Sequence, residues 1–168
     1  MKNDEGKLRS IRYKVEQDSK VLDRIVESIV SKYSQQLDSE VDKIKQLLER
    51  PDDLTDNEIE NIVMRLPVFM YYAVNGLEDL GIESDIAKAV KLEVFNEHYI
   101  RVDGTIKDKT HQAELNTMDE QLIETAYSRA YRKLKSKIDQ AENIFSGVKK
   151  VLTKRIQDQE IHRQDRFS

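Results

Sequence analysis

The chain has 168 residues, of which 36% are charged and 38% hydrophobic, with a net charge of −4 and no cysteine. That length suffices for a real hydrophobic core, and the absence of cysteine excludes disulfides and thiolate metal sites. With 2 prolines and 5 glycines, most of the chain is open to continuous helix, and its periodic apolar content argues against a disordered chain.

The N-terminal MKNDEGKLRS lacks the apolar core of a secretory signal, and no apolar run reaches the roughly 18 residues of a membrane span. A first helix is expected from near Leu8 to about Arg50. Its apolar stripe is Leu8, Ile11, Val15, Leu22, Ile25, Ile29, Tyr33, Leu37, Val41, Ile44 and Leu48, interrupted at Asp18 and Ser19. Pro51 then stops it, because the residue before a proline avoids the helical region.

Thr55 followed by Glu58 fits a capping box and starts a second helix over about 56–80. It is apolar on most sides from Ile62 to Val74, the pattern of a buried helix, and Pro67 should kink it. Gly81 reads as its C-cap. Ser84 or Asp85 caps a third helix ending near Asp103 and Gly104, with the short HYIRV as its one β-like piece. After a polar turn, the last helix begins near Thr110 or Thr117 and runs to about Gln159. The sum is an all-α fold: one helical domain over 1–168, frayed at 1–7 and 160–168. Its long helices form an extended hairpin or coiled-coil-like bundle around a shorter buried helix kinked at proline.

Within the last helix, Tyr127, Tyr131, Leu134, Ile138, Ala141, Phe145, Val148 and Leu152 follow alternating steps of four and three. This is a heptad seam, the pattern of helices packed lengthwise. Seams on helices this long favour a homo-oligomer. Charge is divided along the chain: Leu37–Glu60 holds nine acids against three bases, and Tyr127–Arg155 nine bases against two acids. Arg129, Arg132, Lys133, Lys150 and Lys154 lie away from the seam and Lys137 on its flank, a placement suited to contacts along a phosphate backbone. The same charge could instead be neutralised by the acidic 37–60 segment. Tyr127 and Tyr131 could stack on unpaired bases, although their spacing favours the core.

No phosphate-binding glycine loop and no nucleophile–base set is present, so a non-enzymatic protein is expected. His98, His111 and the nearby Glu93, Glu97 and Glu114 do not repeat the Glu-x-x-His pattern of helical-bundle metal sites. No metal or cofactor is assigned to them.

The order KLEVFNEHYIRVDGTIKDKTHQAEL, then AYSRAYRKLKSKIDQAENIFSGVKKVLTKRIQDQE, resembles small helical phage proteins of the UvsY recombination-mediator type. The matching pieces are Gly104-Thr105, Lys107, Lys109, Ala113-Glu114, Lys149-Lys150 and Arg155, over about the last two-fifths of the chain. The resemblance implies a non-enzymatic, oligomeric single-stranded DNA-binding protein. A cytoplasmic location, a host cytoplasm if phage-encoded, is the expectation that the absence of cysteine fits. It further implies a recombinase and a single-strand-binding protein as partners. The phosphate contacts expected are Arg129, Arg132, Lys133, Lys137, Lys150 and Lys154. The competing expectation is a helical scaffold or interaction module, a virion or host-takeover component without nucleic-acid binding, whose charges pair subunits.

Overall fold

The computed structural model describes residues 2–50 and 54–165, with side chains over 12–50 and 54–162. Among these it is all-α, with four helices and no strand: α1 (Lys2–Leu48), α2 (Asp56–Arg101), α3 (Ile106–Asn116) and α4 (Met118–Asp165). Pro51 and the Leu8 and Ile11 side chains lie outside the described residues, as do Met1 and 166–168. Helix α1 starts at Lys2, ahead of the expected Leu8, and α4 continues past Gln159 to Asp165. None of the described helices is long and apolar enough to cross a membrane.

Helix α2 begins where the capping box indicated. The Thr55 N–H donates to Glu58 Oε2 at 2.8 Å, and the Glu58 N–H donates back to Thr55 Oγ1 at 3.3 Å. The Thr55 N–H, together with the Thr55 hydroxyl that donates to the same Oε2 at 2.8 Å, favours the charged carboxylate and holds the Glu58 pKa below its ordinary range. The helix runs on through Pro67 and also through Gly81, so the two helices expected over 56–103 are one of 46 residues. Gly81 lacks the positive φ of a C-cap glycine, which among the described glycines belongs to Gly104 at +135°. A Cβ at Gly81 would meet the Tyr131 ring at 3.4 Å, an ordinary contact, so the packing there does not require glycine.

Thr105 caps α3 with a second box. Its backbone and hydroxyl both donate to Asp108 Oδ2, and the Asp108 pKa is lowered for that reason. Thr117 then divides α3 from α4. Its N–H donates to Glu114 O at 3.3 Å and its carbonyl accepts from Gln121 N at 3.0 Å. Its buried hydroxyl donates to the Ala113 carbonyl at 2.9 Å.

The chain divides into two compact units, each assembled from separate stretches. The first comprises Met1–Lys32 and Asp79–Arg132, the second Tyr33–Glu78 and Lys133–Ser168. The first unit buries Leu22, Val26 and Val30 of α1, Leu80 and Ala87 of α2, Ala113 of α3, and Ala126 and Ala130 of α4. Alanine at so many contact positions lets helix backbones approach closely. A half-buried Lys91–Glu124 ion pair at 2.8 Å borders this core.

The second unit buries Leu37 and Ile44 of α1, Leu54, Ile59, Ile62, Leu66 and Ala73 around α2, and Leu134, Ile138, Ala141 and Val148 of α4. Ser34 and Glu40 lie in the buried line of α1 because each has a partner. The Ser34 hydroxyl donates to Asp38 Oδ2 at 2.7 Å, and Glu40 Oε2 accepts from Arg65 at 3.4 Å. The expected α1 stripe is therefore rotated by one residue in places: Val26, Val30 and Ser34 are inside, while Ile25 is exposed and Ile29 and Tyr33 are half-buried. Helix α2 also departs from the expectation of burial on most sides. Ile62, Leu66 and Ala73 are inside, but Met64, Val68, Tyr71 and Tyr72 are exposed.

Candidate nucleic-acid interface

Bases and apolar side chains alternate around α4, so the site follows from which face each one takes. In the second unit, Leu134, Ile138, Ala141 and Val148 occupy the buried face, and Phe145 and Leu152 are half-buried beside them. In the first unit the buried positions are Ala126 and Ala130, with Tyr127 and Tyr131 half-buried at their flank. The middle of the heptad seam thus forms core, and its N-terminal end turns by one residue toward the alanines. Ranking positions by size selects the tyrosines, whereas close helix packing selects the smaller side chain.

The six expected phosphate contacts fall into three environments. Arg129 and Arg132, in the first unit, are exposed, and the Arg132 Nε donates to its own helix at Ser128 O over 3.3 Å. Lys150 and Lys154, in the second unit, are exposed and have no ion-pair partner among the described residues. Lys133 and Lys137 are half-buried. The Lys137 ammonium donates to both oxygens of Asp38, at 2.7 and 2.6 Å, and is committed to that carboxylate.

Arg155 is committed in the same way. Its Nη1 donates to the Leu54 carbonyl at 2.6 Å and to Asp56 Oδ1 at 3.0 Å, while Gln159 holds the other Asp56 oxygen at 3.0 Å. The acidic 37–60 segment therefore neutralises part of the basic helix within the second unit.

What remains open is a ridge. Ser146, Lys149, Lys150, Thr153, Lys154 and Gln157 line one shallow groove along α4, at the i, i+3, i+4, i+7 spacing of a single helix face. From Ser146 to Gln157 the sequence carries four bases and no acid. The Lys149 ammonium lies 5.4 Å from the Phe145 ring centroid, a cation–π distance that draws it along the helix. Charge and spacing alone do not single out Lys149, Ser146, Thr153 and Gln157. The acid-free window is the available signal, outweighed by the denser bases over 129–137.

No group of three or more potential metal ligands exists among the described residues. His98 Nδ1 sits 3.4 Å from the Asn116 amide nitrogen, and Glu97 pairs with Arg101 at 3.3 Å. No protein-family model, curated protein or solved structure matches the chain.

Proposed function

We propose that the chain is a non-enzymatic protein that binds single-stranded nucleic acid through the lysine ridge of α4. The observation that carries this reading is the exposed row Lys149, Lys150 and Lys154, interleaved with Ser146, Thr153 and Gln157 and free of acids from Ser146 to Gln157. Three ammonium groups on one helix face match the spacing freedom of a flexible phosphate backbone, and the hydroxyls and amide can reach phosphate or sugar. Such contacts hold a strand without reading its sequence, as a protein that coats single strands requires. Recombination mediation, with recombinase and single-strand-binding protein as partners, is the more specific role that the UvsY-type resemblance adds.

The test is a fluorescence-anisotropy titration with a labelled single-stranded oligonucleotide at two salt concentrations. Lys149→Ala, Lys150→Ala and Lys154→Ala together should weaken binding and flatten the log–log salt slope by roughly 2, from about 0.7 per lost contact. Wild-type affinity and slope in the folded triple variant would move the site off this ridge.

A second reading rests on Lys137–Asp38 and Arg155–Asp56. Bases spent on internal acids are what a scaffold or interaction module needs, and wild-type protein with no salt-dependent binding at all would favour it.

A further inference from the structure

We infer that residues 61–75 of α2 form a self-complementary face on which a second copy of this chain docks, antiparallel, about a two-fold axis near Val68. The inference is independent of the nucleic-acid reading and rests on a different helix.

The residues concerned are Asn61, Met64, Val68, Tyr72 and Asn75, all exposed. Relative to Val68 they lie at −7, −4, 0, +4 and +7. At about 100° per residue these offsets fall within about 40° on either side of Val68, forming one narrow stripe. Met64 is 74% exposed, Val68 50% and Tyr72 58%, with Tyr71 at 64% on the stripe's edge. These values belong on a contact surface, because Ile62, Leu66 and Ala73 have already supplied the inward face of the same helix.

The chemical classes read alike in both directions, an amide at each end and three apolar side chains between them. A two-fold through Val68 sets each position against the one equally far on the other side. Asn61 then meets Asn75 of the second copy, where two side-chain amides can exchange hydrogen bonds. Met64 meets Tyr72, a thioether against an aromatic ring, and Val68 meets itself. A symmetric interface demands this self-complementarity, and an unrelated partner does not.

Charge agrees with the register. From Asn61 to Gly76 the one charged residue is Arg65. Its guanidinium is held by Glu40 at 3.4 Å and lies 6.0 Å from the Phe69 ring centroid. The two-fold sets Arg65 opposite Tyr71 and not opposite its own copy, so within 61–76 no like charges meet, and the first like-charged pair, Glu58 opposite Glu78, falls beyond the stripe's ends. The α4 seam offers no comparable surface, because Leu134 and Ile138 are spent in the core of the second unit.

The absence of cysteine from the chain makes the test direct. In the full chain, Val68→Cys should oxidise to a disulfide-linked dimer, while Asn143→Cys on the exposed side of α4 should gain no disulfide link under the same oxidant. Sedimentation equilibrium of the wild type should give twice the 19.7 kDa chain mass. Met64→Glu with Tyr72→Glu should weaken that association at least tenfold with helicity retained, and with the unfolding midpoint unchanged at dilutions where wild type is also monomeric. A wild-type monomer at on the order of 100 micromolar would overturn the inference. So would a dimer that survives the double substitution, or one that Val68→Cys does not link.

Discussion

Three glycines show how one residue type serves different ends. A Cβ on Gly76 would stand 2.6 Å from Cδ1 and 2.8 Å from Cβ of Tyr33, so α1 and α2 approach there only because that atom is missing. A Cβ on Gly147 would have nothing within 4 Å. Gly76→Ala should therefore lower stability by about 1–3 kcal/mol, the range for overpacking, even though alanine is the better helix former. Gly147→Ala should raise it by roughly 0.5–1 kcal/mol through helix propensity alone. Urea midpoints of the two variants check the opposite signs. Gly81 reads from sequence as a helix end, yet it lies mid-helix without a positive φ, and a Cβ there would only touch the Tyr131 ring at 3.4 Å.

The Lys137–Asp38 pair belongs to the same scale. Lys137 is 26% and Asp38 38% exposed at the side chain, so water screens the pair in part. A double-mutant cycle with Lys137→Ala and Asp38→Ala should give a coupling of about 1 kcal/mol, smaller at high salt. A coupling near zero would return Lys137 to the pool of bases available for phosphate. Sequence could show that Lys137 flanked the seam but not that its partner lay 99 positions earlier.

At the scale of elements, the caps make stability depend on acidity. Glu58 and Asp108 have lowered pKa values because threonine groups donate to their charged forms. A carboxyl with a lowered folded pKa contributes stability that is present above its unfolded value of about 4. That contribution is lost as pH falls through the lower folded value. Helicity followed from neutral pH into acid should show this loss, and Thr55→Ala and Thr105→Ala should each reduce its share. A variant whose acid profile matches wild type would show that its cap does not contribute.

What was legible among the elements follows the range of the forces involved. The Thr55–Glu58 box is a four-residue event, and it was read correctly from four residues. The middle of the α4 seam was legible because Leu134 and Ile138 are large as well as buried. The line of α1 was misread where Ser34 and Glu40 enter the core, since a hydrophobic pattern cannot count polar residues satisfied by Asp38 and Arg65. The lysine ridge is half legible: Lys150 and Lys154 follow from their distance from the seam, while Lys149 adjoins the seam residue Val148 and shows its exposure only in the folded helix.

For the molecule as a whole, long helices give each unit mixed resources. The second unit buries one side of α2 in its own core and leaves Met64, Val68, Tyr71 and Tyr72 outside. It also carries the lysine ridge on α4. A chain that pairs through α2 would present two ridges per dimer, and two linked binding elements hold one strand more tightly than either alone when the strand can span both. The expected outcome is that Met64→Glu with Tyr72→Glu weakens binding to a long oligonucleotide more than to one long enough for a single ridge. Equal losses on both lengths would separate pairing from binding.

Neither unit is continuous in the chain. The stretch Tyr33–Glu78 has no complete core until residues from Lys133 onward have been made, and Asp38 and Asp56 each wait 99 positions for Lys137 and Arg155. During synthesis, an apolar α2 segment must therefore remain without its final helix while the first unit's second stretch, Asp79–Arg132, is still being added. Such distant pairings require closing long loops before their contacts form, so refolding should be slower than in a helical bundle built from neighbours in sequence. The same interval is when α2 is most open to wrong partners on the ribosome, which makes the order of synthesis itself a constraint on this fold.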